Sequence, residues 1–146
     1  MFKNRAVLFV VLSFGIIACG DDESSNEGNN TNNEPQTLEV VGDWETNFGF
    51  DEAITETTWG SYQSVVFYDN VVNVAVTQNF DDADFDPSLF NRIVWTEIQN
   101  NEFHYCTVTF GLETLELARD SDTTANAEDL DGEGCNGFPW TKMTRK

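Results

Sequence analysis

The chain has 146 residues, with 26 acidic side chains against 7 basic ones, a formal net charge of −19. A chain so acidic is repelled by phosphate backbones and by anionic headgroups, which excludes nucleic-acid binding and docking onto bare anionic lipid. Its aromatic content, 13% with four tryptophans and twelve phenylalanines, is enough for a real core in one domain of ordinary size.

The chain begins with two bases, Lys3 and Arg5, and an apolar run from Ala6 to Ile17 broken only by Ser13 and Gly15. A membrane-spanning helix needs roughly 20 apolar residues, so this shorter run reads as a secretory signal. Its ending, Ile16-Ile17-Ala18-Cys19, resembles the lipobox of bacterial lipoproteins. The resemblance implies cleavage of residues 1–18 and a diacylglyceryl group on the Cys19 sulfur, giving a membrane partner through a lipid anchor. An ordinary signal would instead leave Cys19 as a third thiol. Gly20, rather than an aspartate, follows the cysteine, which in the enterobacterial sorting pattern favours the outer membrane. The expected location is therefore the cell envelope. Loss of residues 1–18 removes Lys3 and Arg5 and no acid, so the mature chain is more acidic still.

Gly20 to Gln36 is Asp, Glu, Ser, Asn and Gly with almost no apolar side chain. Such a segment buries too little surface to offset chain entropy, so residues 19–36 read as a lipidated cysteine and a disordered acidic linker. As a coil it would span about 20–25 Å.

Residues 37–146 form the expected domain. Apolar residues alternate with polar ones, the period of a half-buried strand. Val40, Gly42, Trp44, Thr46 and Phe48 share one face of the first strand, and Val41, Asp43, Glu45 and Asn47 the other, expected to be wet. Ala53 to Trp59, rich in threonine, is a second run, and there Glu56 shares a face with Ile54. Ser64 to Tyr68 is a third, joined through Asp69-Asn70 to Val71–Gln78 as a tight hairpin. Within the acidic loop Asn79 to Asn91, Asp86-Pro87-Ser88-Leu89-Phe90 fits a capped helical turn, with Asp86 as N-cap and Pro87 first in the helix. Arg92 to Ile98 and Glu102 to Phe110 form another hairpin about Gln99-Asn100-Asn101. Leu112, Leu115 and Ala118 recur at helical spacing, although Leu115 and Leu117 also alternate. Asp120 to Gly137 is a second acidic loop, and Phe138 to Thr144 a last strand.

The fold class is all-β: a small antiparallel barrel or sandwich of about 7–8 strands with one short helix. Gly42-Asp43-Trp44 at the start of the first strand resembles the Gly-x-Trp signature of lipocalins and the related avidin-like, or calycin, barrels. The resemblance implies a tryptophan plugging one end of a barrel, with a basic residue from near the last strand, Arg145 or Lys142, packed over it.

Two cysteines remain in the domain, Cys106 and Cys135. In an exported chain an even count reads as a disulfide, which in the chain-entropy model is worth roughly 3–4 kcal/mol. His104 is the only histidine, and no Gly-x-Ser-x-Gly nucleophile motif is present. No catalytic residue, metal ligand or cofactor is therefore assigned. Asp82, Asp84 and Asp86 alternate as oxygen ligands often do, but Pro87 stands where a calcium loop wants glycine. Asp129, Asp131 and Glu133 open like an EF-hand loop, whose twelfth position is Trp140 instead of glutamate. Two functions stay open: a structural or protein-interaction role with an unknown envelope protein, and carriage of a small apolar ligand in a barrel mouth lined by Trp44, Phe48, Trp95 and Tyr105.

Overall fold

The computed structural model describes residues 36–146. The signal segment 1–18, Cys19 and nearly all of the linker lie outside the described residues. The domain is a closed antiparallel barrel of eight strands paired in chain order. They are β1 (Gly42–Thr46), β2 (Asp51–Ile54), β3 (Thr58–Trp59), β4 (Gln63–Asp69), β5 (Val74–Asn79), β6 (Phe90–Trp95), β7 (Glu102–Leu112) and β8 (Thr141–Arg145), with one helix, α1 (Leu115–Arg119). The last strand closes on the first through Trp44 opposite Arg145, Glu45 opposite Thr144 and Thr46 opposite Met143. This settles barrel against sandwich.

One end of the barrel is plugged. Leu38 and Val40 enter from the segment ahead of β1 and pack with Trp44, Ile54, Phe103 and Met143, all buried. The Trp44 ring meets Phe103 edge to face at 4.7 Å, and its Nε1 donates to the Val40 carbonyl at 3.0 Å. The Arg145 guanidinium lies 4.4 Å from the Trp44 ring centroid, a cation–π contact of about 0.5–2 kcal/mol. Gly42 permits this approach, since a Cβ there would meet Arg145 Nη1 at 3.0 Å and Trp44 Nε1 at 3.3 Å. Glu56 belongs to this end, where its Oε2 accepts from the Leu38 backbone N–H and the Tyr68 hydroxyl.

A second, smaller core lies outside the barrel wall. Cys106 and Val108 turn outward from β7, since Phe103, Tyr105 and Thr107 take the inner face. The long connection from β7 to β8 covers them with Trp140, Ala125 and Leu130. A disulfide joins Cys106 to Cys135, with Cα atoms 5.6 Å apart, and pins that connection to the wall. On the neighbouring outer wall α1 is capped at its start by Thr114, whose hydroxyl accepts from the Leu117 N–H. At its end the Arg92 guanidinium donates to the carbonyls of Ala118 and Arg119, where the negative end of the helix favours a cation.

Several boundaries differ from the sequence expectation. The run Ala53 to Trp59 is two strands, because Thr55 Oγ1 accepts from the backbone N–H of Thr57 and Thr58 and bends the chain. The Asp69-Asn70 turn is wider than expected: Val71 and Val72 are exposed, and Asn73, at φ 53°, leads into β5. The helical turn at Asp86 does not form. Asp86 sits at φ 49° and Ser88 at φ 62°, left-handed values incompatible with an N-cap and its first turn. Thr96 to Ile98 and Phe138 to Trp140 fall outside the strands expected to include them.

Candidate functional site

The barrel end opposite the Trp44 plug is open. Its rim consists of the connections β1–β2, β3–β4, β5–β6 and β7–β8. A cavity of about 560 Å³ runs into the barrel there, lined among others by Phe50, Glu52, Trp59, Tyr62, Ile93 and Tyr105. That volume is within the range of small-molecule sites, about 300–1,000 Å³.

The inner wall changes character along its length. Near the plug it is apolar. Toward the mouth β2 contributes Glu52, β4 Gln63, β5 Thr77, β6 Asn91 and β7 Tyr105 and Thr107. Several of these polar groups satisfy one another: Thr77 Oγ1 donates to Gln63 Oε1 at 2.9 Å, and Asn91 Nδ2 to Asn79 Oδ1 at 2.7 Å.

Glu52 and Tyr105 form the centre of the site. The Tyr105 hydroxyl donates to Glu52 Oε2 at 3.0 Å. Burial raises the Glu52 pKa above its ordinary value, an effect the Tyr105 hydrogen bond opposes without cancelling. Tyr105 is itself raised, first by burial and then by the neighbouring carboxylate. Glu52 Oε1 accepts no hydrogen bond among the described residues and lies beside Gly60. A Cβ on Gly60 would approach this oxygen to 2.9 Å, and φ of +62° favours glycine there in any case. Behind the pair, Trp59 packs edge to face on Tyr105 at 5.3 Å and against Trp95 at 6.2 Å. The Trp59 indole N–H is buried without a hydrogen-bond acceptor.

Of the four residues expected to line a ligand site, Tyr105 lines this cavity. Trp44 is on the inner face as expected but belongs to the plugged end. Trp95 is buried in the same core, next to Trp59. Phe48 is not on an inner face: β1 stops at Thr46, and Phe48 stands in the following turn, 59% exposed and stacked on Phe50 at 6.4 Å. The alternation fails there because Thr46 Oγ1 accepts from the N–H groups of Phe48 and Phe50 and starts the turn early.

Glu52 and Trp59 line the cavity without being among the four residues expected there. The signal existed: Glu52 is two residues before Ile54, so it shares that residue's inward face. His104 is on the outer face of β7, where burial first and then the Lys142 charge lower its pKa, the carboxylates of Asp131 and Glu102 opposing them. No group of three or more metal-ligating side chains is assembled among the described residues. In the second acidic loop, Asp129 turns its carboxylate onto the Glu133 N–H at 2.9 Å.

The fold and this site define a small antiparallel barrel, plugged at one end and open at the other, compatible with a calycin-like architecture. No family model matches the chain, and neither the curated proteins nor the solved structures contain a match to it.

Proposed function

We propose that the domain is a non-catalytic binding protein that holds a small molecule in the open half of its barrel, and that the chain is anchored in the cell envelope by lipid on Cys19. The observation that carries the binding reading is the cavity itself. A barrel of eight strands is just wide enough for side chains to fill it, and this one keeps a cavity at its mouth beside Glu52, Trp59 and Tyr105. Close packing is the rule for interiors that serve stability alone. His104, the one histidine, is on the outer face of β7 and away from the mouth. Tethering by lipid fits a carrier that meets its ligand outside the cytoplasm.

The test is a titration of the purified protein with a panel of neutral, cationic and anionic small molecules, followed by tryptophan emission. A single saturable site is expected for at least one class, with the emission change reduced in Trp59→Phe. Absence of any saturable site across the panel overturns the reading and leaves the interaction role.

One observation favours that second role. Phe110 and Phe138 are both exposed and flank a shallow hollow beside the disulfide, of about 290 Å³. Exposed aromatics of this kind are enriched where proteins meet.

A further inference from the structure

We propose that the cavity selects a small organic cation: a protonated amine on a flat apolar body, with the ammonium on Glu52 and the body against Trp59 and Tyr105. This rests on the binding reading above and names the class of ligand.

The charge of the cavity decides the sign of the ligand. No lysine, arginine or histidine lines it, and its two acidic lining residues are Asp51 and Glu52, of which Glu52 shares the inner face with Trp44, its cross-strand partner. The adjacent Asp51 faces the other way, where it pairs with Lys146 Nζ at 2.6 Å. An anion entering the mouth would meet an uncompensated carboxylate within a strongly acidic protein. A cation would meet attraction at long range and a partner at short range.

The geometry of Glu52 leaves one oxygen to the ligand. Oε2 is held by the Tyr105 hydroxyl, which fixes the carboxylate plane, and Oε1 has no protein donor among the described residues. Gly60 keeps the space beside Oε1 clear of a side chain. Partial burial already disfavours the charged form of this carboxylate. An arriving ammonium offsets that cost, because it supplies the charge and the hydrogen bond the site lacks. The aromatic residues suit the same ligand. Aromatic rings attract cations and stack on flat bodies, and four of them line the cavity, Trp59 and Tyr105 inside and the exposed Phe50 and Tyr62 at the rim.

Three compounds with one ring system separate charge from shape: tryptamine, tryptophol and indole-3-acetate, titrated calorimetrically into the purified protein. Tryptamine is expected to bind roughly ten- to a hundredfold more tightly than tryptophol, the range a charge-assisted hydrogen bond commands. Indole-3-acetate is expected to be weakest. In Glu52→Gln the tryptamine advantage should disappear while tryptophol binding persists, which shows that the pocket is intact. That variant also removes only one of many acidic charges, so general attraction of cations would survive it. Equal or tighter binding of tryptophol or indole-3-acetate overturns the amine assignment and leaves the pocket. So does an undiminished tryptamine affinity in Glu52→Gln. If none of the three binds while another class in the panel does, the amine is wrong and the pocket right. If nothing binds at all, both readings fall.

Discussion

At the scale of single residues, Glu52 matters because it stands against stability. Its folded pKa is raised by burial, so between the ordinary value of 4.5 and the raised one the folded state holds more protons than the unfolded chain. Stability then falls as pH rises through that window, and the contribution of protonated Glu52, complete below pH 4.5, is lost above the folded pKa. Glu52→Gln is neutral at every pH and can still accept the Tyr105 hydrogen bond. The variant should therefore melt higher than wild type at pH 7, with the difference shrinking as the pH falls toward 4. Thermal melts of the ligand-free protein across that range check this. A variant that melts lower at pH 7 would show that the carboxylate is held by the fold rather than tolerated by it. A residue that costs stability in this way would fit the proposed binding site, since function and stability trade against each other at such sites.

At the scale of elements, the strands were legible and their ends were not. Alternation at Trp44 and Thr46, at Ile93 and Trp95, and at Phe103 and Tyr105 reports burial on one face, a consequence of the barrel interior that any strand there must show. Strand ends depend on side chains competing for backbone groups. Thr46 and Thr55 both divert N–H groups from the ladder, and neither act is visible in apolar patterning. This is also why the site was read imperfectly: Phe48 lies just past one such diversion, and the second strand was taken to begin after Glu52. The β6–β7 turn, in contrast, was legible, because Asn100 and Asn101 both tolerate the left-handed conformation they adopt, at φ 53° and 64°. The pairing of Cys106 with Cys135 followed from export and from an even count, and the disulfide ties the β7–β8 connection over Val108 and Trp140. Paired Cys106→Ser and Cys135→Ser changes should lower unfolding free energy by about 3–4 kcal/mol. Denaturant titration measures the loss, and hydrogen exchange should place the first added mobility between residues 120 and 140. A loss below about 1 kcal/mol would mean that Trp140 and its neighbours hold the connection without the covalent link.

At the scale of the whole molecule, the charge on the outer wall of the barrel argues against burial in a bilayer. Asp43, Glu45 and Asp51 face outward from the barrel, whereas the outer band of a membrane-spanning barrel is apolar. Among the described residues no helix is long and apolar enough to cross a bilayer. With so large an excess of acids over bases, the surface is repelled by anionic headgroups. The proposed membrane attachment thus rests on Cys19 and on the resemblance of Ile16–Cys19 to a lipobox. The chemistry of that anchor makes a sharp prediction. A single acyl chain holds a protein only marginally, whereas two or more hold it stably, at about 0.8 kcal/mol for each buried methylene. The proposed diacylglyceryl group on Cys19 would supply two. Cys19→Ser removes the sulfur to which they would be attached. The variant should move from the membrane fraction to the soluble fraction, or accumulate as an unprocessed precursor. Its Cys106–Cys135 disulfide should be retained, since export is unchanged. Fractionation followed by intact-mass measurement distinguishes these outcomes, because the wild-type protein should carry the added mass of the lipid. Wild-type protein without that mass, or a processed Cys19→Ser protein bound to membranes as firmly as wild type, would refute the anchor.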